Sequence, residues 1–249
     1  MTTVAVLADP PREGLVLPKL VAETPLSEAE ATELYVAMLR DVCRAVEASG
    51  GDLLVNYRDD ADLPEHDGES SEAQLRAAVA PALDSPDDAR YEVQVGASFS
   101  ARAGNTVSHL LEQEQVTSAA VVEPTAPFLT RTIVDNAAMK LRRHAVVLGP
   151  ASDGRVYYAG FAEGVDFEDA YEPPVLETLT DRGVAADLSV DFLPTTPVVE
   201  TRSDLVSALA QISARATAER NHPAHTAQCV AELGLDVVAG EDGPELVRE

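Results

Sequence analysis

The sequence predicts an α/β protein: a three-layer sandwich with a mixed, mostly parallel sheet. Short apolar runs, beginning with Val4–Ala8, alternate with longer stretches whose apolar residues recur at helical spacing. Repeated strand and helix units of this kind favour parallel strands with helices on both faces. Two neighbouring strands joined by a tight loop are indicated after residue 145. The first is the apolar run Val146–Leu148, the loop contains Gly149 and Gly154, and the second is an aromatic run from Val156.

The N-terminal part contains a buried strand, a long helix and a second strand. Val4–Ala8 is wholly apolar, which suits a central strand, and a loop rich in proline and glycine follows at Asp9–Pro18. Ser27 and Glu30 have the spacing of a capping box that begins a helix. Asp52–Tyr57 reads as the second strand. The apolar face of the helix comprises Leu34, Met38, Val42 and Val46.

The middle of the chain continues the alternation. We predict a helix over Glu72–Leu83 and a strand over Tyr91–Val95, separated from the next helix by a loop around Gly104. That next helix covers Val107–Gln115, and the buried strand Ala119–Val122 follows it.

Three further helices and a strand are predicted after this point. Pro127–Leu141 is a helix with proline in its favoured first turn, and Tyr171–Arg182 is a helix that Gly183 ends. Asp187–Leu193 is a strand. The long helix Thr201–Ala218 begins with a second capping-box pattern.

We expect one domain over residues 1–220 and an extension over residues 221–249. The extension contains a predicted helix to Leu233 and a short strand at Asp236–Ala239. The sequence assigns no role to this extension, and it does not predict an oligomeric state.

The formal charge of −25, from 43 acidic and 18 basic residues, is extreme. The acids are spread along the whole chain, which favours a solvated acidic coat over the alternative of one surface for cations or basic proteins. Because self-repulsion of this size is relieved by salt, the charge predicts a salt-adapted, halophilic protein. The absence of a basic footprint argues against nucleic acid as a partner.

Targeting signals and membrane spans are not predicted. No apolar run approaches about 18 residues, so we expect no membrane partner. The N-terminus lacks a charged segment before an apolar one, and we expect a cytoplasmic protein. Cys43 lies in a helical pattern and is predicted in the core, while a disulfide with Cys229 stays open.

Several short sequence motifs resemble those of a known family, and the resemblance covers roughly residues 3–212. They are Leu7–Gly14 (LADPPREG), Val147–Gly154 (VLGPASDG) and Thr201–Leu205 (TRSDL), in this order. Together they resemble the GT-A type nucleotide-diphosphosugar transferase superfamily, and within it most closely the glycosyltransferases associated with radical-SAM and selenodomain proteins, also called arsenosugar-type. The resemblance implies a glycosyl- or nucleotidyl-transferase that takes a nucleotide or nucleotide-sugar donor with Mg²⁺ or Mn²⁺.

The resemblance also implies a nucleotide site in the loop after the first strand and in a later glycine-containing segment. The positions that match are Ala8, Asp9, Gly14, Lys19, Gly104 and Asn105. Two departures weaken the positive charge of this site. Asp9 stands where the family has a lysine, and only Lys19 keeps a cation in the Leu17-Pro18-Lys19 segment.

For the metal, the resemblance implies Glu200, with Glu123 substituting for the aspartate position that carries Thr125 here. Asp153 is implied on the acceptor side as the catalytic residue. Plain structural alternatives stay open: Asp153 as a turn residue, and Glu200 as a helix cap or surface group. The lost charges also leave a second function open, in which a catalytically degenerate homologue binds a small ligand or a protein partner.

Overall fold

A seven-stranded sheet runs through the centre of the computed structural model, which describes residues 1–240 and 243–248. Its strand order is β3-β2-β1-β4-β6-β5-β7. All neighbouring strands pair in parallel except that β6 is antiparallel to β4 and β5. The predicted mixed, mostly parallel sheet is therefore confirmed. The strands are β1 (Thr2–Ala8), β2 (Asp52–Tyr57), β3 (Arg90–Val93), β4 (Ser118–Val122), β5 (Val146–Pro150), β6 (Val156–Phe161) and β7 (Val190–Phe192).

Helices cover both faces of the sheet and bury two apolar cores. Helices α4 and α6 pack on one face, and the others surround the larger core on the opposite face. None of the helices within the described residues has the length and apolar character that a membrane crossing requires. The helices are α1 (Pro18–Glu23), α2 (Glu28–Glu47), α3 (Ser71–Val79), α4 (Phe99–Ser108), α5 (Arg131–Lys140), α6 (Val175–Ala185), α7 (Arg202–Thr217) and α8 (Ala224–Glu232).

Strand β1 shows why the sheet has two cores. Successive side chains of a strand point to opposite faces. Val4, Val6 and Ala8 accordingly enter the larger core, and Ala5 and Leu7 enter the smaller one. A strand buried on both faces needs the continuous apolar sequence that the N-terminus supplies.

Both predicted capping boxes are confirmed. The Ser27 hydroxyl accepts from the Glu30 N–H at 3.2 Å, and the Ser27 N–H donates to the Glu30 carboxylate at 2.9 Å. Thr201 and Asp204 make the same reciprocal pair at the start of α7, at 3.3 and 3.0 Å. These contacts satisfy N–H groups that lack helical partners.

The starts of α4 and α5 differ from the predicted ones. Helix α4 begins at Phe99 because Ser98 caps it, so the predicted loop around Gly104 is helical and a π-helical turn follows over His109–Gln113. Helix α5 begins at Arg131, with Thr130 as its cap, and not at the proline-containing position 127. Residues 123–130 therefore form a loop at the end of β4.

Gly183 was predicted to end a helix, but it lies buried inside α6. A Cβ atom at this position would lie 2.7 Å from Cγ2 of Val190, closer than real Cβ contacts allow. The missing side chain lets α6 approach β7, so the glycine serves packing and not termination. Helix α6 itself begins at Val175, four residues later than predicted.

Other ends differ by a few residues, and one strand was missed. The predicted helices over 72–83 and 221–233 and the predicted strands over 91–95 and 187–193 correspond to α3, α8, β3 and β7 with the bounds given above. Strand β8 (Leu235–Gly240) pairs antiparallel with β9 (Gly243–Arg248), which was not predicted. Cys43 is buried in the larger core as predicted, and Cys43 and Cys229 are both free thiols.

The segment after residue 220 packs against the sandwich through α8, which lies on α2. Helix α8 has no capping side chain of its own, because Pro223 precedes it. The buried Asp41 carboxylate of α2 replaces that cap. It accepts from the N–H groups of His225 and Thr226 at 3.0 and 2.8 Å and from the Thr226 hydroxyl at 2.7 Å. A domain boundary at residue 220 stays a prediction.

Replacing Asp41 with alanine is expected to loosen α8. The change removes three hydrogen bonds and leaves the first-turn N–H groups of α8 without a cap, which costs about 2 kcal/mol. Urea unfolding should show this loss, and hydrogen exchange should accelerate over residues 224–232. Asp181→Ala, at an exposed helical aspartate, is the matched control. Equal stability of the two variants would contradict the capping role.

Candidate functional site

A pocket of about 320 Å³ opens at the carboxyl ends of β1 and β4. The strand order reverses direction between these two strands, and ligands of open α/β sheets bind at such points. We call this space the carboxyl-edge pocket. Of the residues singled out from the sequence, it is lined by Asp9, Lys19, Glu123 and Glu200.

Glu123 and Glu200 are brought together by main-chain hydrogen bonds. The Glu123 N–H donates to the Tyr157 carbonyl at 3.0 Å, which fixes the chain just after β4. The Val199 N–H donates to the Thr125 carbonyl at 2.9 Å, which ties the segment before α7 to the same loop. The two glutamates are far apart in sequence, and these contacts place both in one pocket.

The surroundings of the Glu123 carboxyl group disfavour its ionised form. Burial raises its pKa to about 8, the negative charges of Glu200 and Asp9 add to this effect, and Arg155 opposes it. No described side chain donates a hydrogen bond to this carboxylate. The pocket therefore holds a carboxyl group that is protonated for much of the time at neutral pH and that a cation would ionise.

Glu200, in contrast, has a cation nearby. Arg155, just before β6, lies 3.5 Å from the Glu200 carboxylate and donates to Asp204 at 2.6 and 3.0 Å. Although burial opposes it, hydrogen bonds from Arg155 and Thr201 hold the pKa of Asp204 below its usual value. Asp153 is 3.7 Å from Arg155, but its side chain is 82% exposed and lies outside the pocket. Asp153 has φ 58°, as expected of a turn residue.

Asp9 is neutralised by a cation that sequence reasoning missed. Arg58, directly after β2, forms a two-point ion pair with the Asp9 carboxylate at 2.5 and 2.9 Å. The Tyr35 hydroxyl of α2 bonds the Asp9 main chain on both sides, accepting from its N–H and donating to its carbonyl at 3.0 Å. Burial, and then the Asp9 charge, raise the pKa of Tyr35 well above its usual value, so it stays a neutral donor.

A second guanidinium lies beside this pair. Burial and the positive charge of Arg58 lower the pKa of Arg102, which Asp9 partly opposes. The Arg102 Nε is buried and has no hydrogen-bond partner among the described residues. Its guanidinium lies 5.8 Å from the ring centre of Phe99, which lines the pocket. Arg58 and Arg102 thus lie near the same carboxylate, and the charge of Asp62 also acts on Arg102.

The loop after β1, which follows the buried Ala8, is shaped by its own contacts. Gly14 has φ +76°, a conformation that favours glycine, and a Cβ there would lie 3.3 Å from the Glu28 carboxylate. Leu17 also has a positive φ of 52° and lines the pocket. Such a conformation is strained for leucine, and strain of this kind concentrates at functional sites. Lys19, in the first turn of α1, exposes its ammonium group at the pocket.

Arg12 anchors the same loop and does not face the pocket. It is 8% exposed and donates to Asp60 at 2.5 Å, to Gln74 at 3.1 Å and to Ser71 at 3.2 Å. The ion pair is the main reason that the pKa of Asp60 falls to about 2. Arg12 therefore ties the loop to the start of α3.

Gly104 and Asn105, predicted near the nucleotide, lie inside α4 and do not line the carboxyl-edge pocket. A Cβ at Gly104 would be 2.5 Å from the Phe167 Cβ, so the glycine permits close packing there. The Asn105 amide donates to the Val95 carbonyl at 2.7 Å. The predicted loop that motivated both assignments is absent, and their role in nucleotide binding stays a prediction.

One group of metal-type ligands lies elsewhere. Among the described residues, the carboxylates of Glu92 and Glu114 and the His109 imidazole offer ligand atoms within 4.8 Å of one another. Arg90 pairs with both Glu92 and Glu114, at 2.7 Å from the latter. Because this guanidinium already bridges the two carboxylates, the group reads as a surface ion-pair network.

Acidic and basic side chains at and near the carboxyl-edge pocket follow different strands of the sheet. Glu123 follows β4 on one side of β1, and Arg58 follows β2 on the other side. Arg102 lies close enough to Arg58 and Asp9 for their charges to act on it, but neither arginine is among the described lining residues of the pocket. A ligand that carries both a metal ion and phosphates suits such a division. Arg58 was identifiable from the sequence by the argument that singled out Asp9, since both residues directly follow a buried strand. Arg102 gave no such signal, because it was assigned to a loop.

Solved structures with the same fold include a protein from Desulfovibrio desulfuricans G20 provisionally assigned as a nucleotide-diphospho-sugar transferase. It is 18% identical, with a TM-score of 0.75 over 93% of this chain and 94% of that one. A cytidylyltransferase from Leptospira borgpetersenii is 8% identical with a TM-score of 0.49, over 93% of this chain and 94% of that one. A CMP:2-keto-3-deoxy-manno-octonic acid synthetase complexed with CTP is 11% identical with a TM-score of 0.49, over 86% and 99%.

The Desulfovibrio likeness shows the fold, which is that of nucleotide-diphospho-sugar transferases. No curated protein matches this chain. Residues 44–171, just over half of the chain, match the model of a family described as an uncharacterized protein conserved in bacteria, DUF2064. The matched range contains Arg58, Arg102, Glu123 and Arg155. The chain therefore belongs to the DUF2064 family.

Proposed function

We propose that this chain is a glycosyl- or nucleotidyl-transferase that uses a nucleotide-activated donor with Mg²⁺ or Mn²⁺. The observation that carries the proposal is Glu123: a carboxylate with a pKa of about 8, without a partner, in the same pocket as Glu200. The fold supports the proposal, as does the position of the pocket where strand order reverses. Membership of the radical-SAM-associated glycosyltransferases is the finer part of this proposal.

The two glutamates fit a divalent ion. Carboxylate oxygens are the ligands that Mg²⁺ and Mn²⁺ prefer, and one or two carboxylates together with substrate phosphates suffice for Mg²⁺. In this proposal Glu123 and Glu200 hold the ion. When bound, the ion neutralises the charge that develops on the diphosphate leaving group. Arg155 then orients Glu200 through the ion pair at 3.5 Å.

The remaining residues bind and orient the donor. Arg102 has a buried Nε without a hydrogen-bond partner among the described residues, which suits a phosphate oxygen. Lys19 adds a mobile ammonium group at the mouth of the pocket. Ala8, Asp9 and Gly14 shape the loop that faces the nucleotide, with Asp9 holding Arg58 in place. Asp153, outside the pocket, is proposed on the acceptor side.

A second function is supported by a specific observation. Arg58 already neutralises Asp9, and Arg155 already neutralises Asp204 and approaches Glu200, so most of the site charges are balanced within the chain. Such a site suits a catalytically degenerate homologue that binds a ligand without turning it over. Stabilisation by a nucleotide without any product would favour this second function.

Mn²⁺ is expected to raise the melting temperature of the wild-type chain in a saturable way, and more so with a nucleoside diphosphate. Glu123→Gln and Glu200→Gln should each weaken the Mn²⁺ effect by about tenfold or more, because each removes a charged ligand. Glu163→Gln, at an exposed glutamate, controls for binding to the acidic surface. An Mn²⁺ effect of the same size in all four proteins would exclude this site.

The pKa of Glu123 makes stability depend on pH with a defined sign. Its folded-state pKa of about 8 exceeds the ordinary value of 4.5, so the folded chain binds the proton more tightly and loses stability as pH rises from about 5 to about 8. The loss attributable to this group is on the order of 5 kcal/mol. Urea unfolding without metal should show a shallower decline for Glu123→Gln than for wild type. Parallel curves for the two proteins would rule out the raised pKa.

Arg102→Gln is expected to weaken the affinity for a nucleoside diphosphate by about tenfold in the presence of Mn²⁺, since it removes a charge-assisted contact. The Mn²⁺ effect measured without nucleotide should be unchanged, because Arg102 does not contact the glutamates. Arg142→Gln, at an exposed arginine, is the matched control. Calorimetric titration measures both affinities, and an unaltered nucleotide affinity would remove Arg102 from the site.

A further inference from the structure

A second pocket lies on the helical face that carries the larger core. It has a volume of about 280 Å³ and is enclosed by α2, the start of α5, the end of α7 and the segment that precedes α8. We call it the α2–α5 pocket. It shares no lining residue with the carboxyl-edge pocket, so it is a separate site.

The α2–α5 pocket has the opposite charge to the rest of the chain. Three arginines line it, Arg44, Arg131 and Arg215, in a protein with only 18 basic residues and a net charge of −25. Among the described residues, Asp41 is the one carboxylate in the lining, and its oxygens accept hydrogen bonds from the first turn of α8. The pocket is therefore locally positive.

Arg215 is held in place without an acid. Its guanidinium lies 5.2 Å from the ring centre of Phe128, and it donates to the Asn221 carbonyl at 3.3 Å. Within residues 1–240 and 243–248 it makes no ion pair. The aromatic ring orients the guanidinium and leaves its charge available to an anion.

The other two arginines have weak partners. Arg44 lies 3.8 Å from Asp84 and donates to the Ala82 carbonyl at 3.0 Å, and Arg131 lies 3.2 Å from Asp135, in ion pairs whose arginines are more than half exposed. Neither aspartate lines the pocket. Exposed ion pairs contribute little, so Arg131 can turn to a stronger acceptor at small cost, and Arg44 can do so with the guanidinium nitrogen that does not bond Ala82.

The start of α5 adds main-chain donors to the same pocket. Thr130 caps this helix, both Thr130 and Arg131 line the pocket, and the first turn contains no acidic residue. The first N–H groups of a helix have no partners within the helix and attract anions. Here they lie next to Arg131 in a site that three arginines share.

We infer that the α2–α5 pocket binds a small anion with a phosphate group, held by Arg44, Arg131, Arg215 and the start of α5. Guanidinium groups and helix N-termini are matched to the geometry of phosphate oxygens. The volume is near the lower end for ligand pockets, about 300 Å³, which favours a small phosphate compound over a nucleotide. Two sources share this chemistry: free phosphate or pyrophosphate, and a phosphorylated metabolite.

Calorimetric titration tests the inference at constant ionic strength with chelator present. Inorganic phosphate, pyrophosphate and glycerol 3-phosphate are titrated separately, and the tightest of the three identifies the source. We expect saturable binding to one site. Arg215→Gln and Arg131→Gln should each weaken it by about tenfold or more, because each removes a charge-assisted contact. Arg215→Lys should restore part of the affinity, and Arg142→Gln should leave it unchanged.

Two further variants separate this site from the proposed transferase site. Glu123→Gln and Arg102→Gln should bind phosphate as the wild type does, whatever they do to metal or nucleotide binding. Circular dichroism melting without phosphate shows whether each variant is folded, and Arg131→Gln replaces Arg215→Gln if the latter is not. Absence of saturable binding by all three anions overturns the inference. Wild-type affinity in the Arg215 and Arg131 variants, or loss in Arg102→Gln, overturns it as well.

Discussion

Four carboxylates lie at one edge of the sheet, and the small number of cations available to them shapes the site. Asp9 follows β1, Glu123 follows β4, and Glu200 and Asp204 mark the start of α7. Arg58 pairs with Asp9, and the single charge of Arg155 is shared between Asp204, at 2.6 Å, and Glu200, at 3.5 Å. Glu123 receives no hydrogen bond from the described side chains, and burial, followed by the negative charge of Glu200, raises its pKa. This carboxylate is the feature on which the proposed divalent-ion site rests.

The scarcity of cations makes their placement informative. Only 18 basic residues accompany 43 acidic ones. Arg12 anchors the loop after β1, and Arg58 and Arg102 lie near Asp9. Three further arginines line the α2–α5 pocket. In a chain whose surface repels anions, two local concentrations of arginine mark the places where an anion gains a favourable contact. The salt adaptation inferred from the net charge stays a prediction.

Local signals were predictable where a short contact decides the structure. The capping boxes at Ser27 and Thr201 depend on residues three positions apart, and both were found. The starts of α4 and α5 also have serine or threonine caps, at Ser98 and Thr130, but without the acidic or amide partner three residues later. That missing partner explains why both starts were misplaced. The misplaced start of α4 in turn put Gly104 in a loop and hid Arg102.

Glycine was ambiguous for a different reason. Gly183 has the composition signal of a helix end, yet it serves the close approach of α6 to β7, which only the packed structure reveals. Gly14 was correctly placed in a loop, and the turn there requires its positive φ.

The sequence alone determined the alternation of strands and helices, the buried central strand and the list of acidic candidates, because these depend on local pattern and composition. Tertiary structure decided which candidates meet. Glu123 and Glu200 share a pocket because main-chain hydrogen bonds join the loop after β4 to the segment before α7. Arg58 and Arg155 likewise form ion pairs with Asp9 and Asp204, which are more than 40 residues away in the sequence. Contacts between residues distant in the chain set the charge of each group, and no local pattern encodes them.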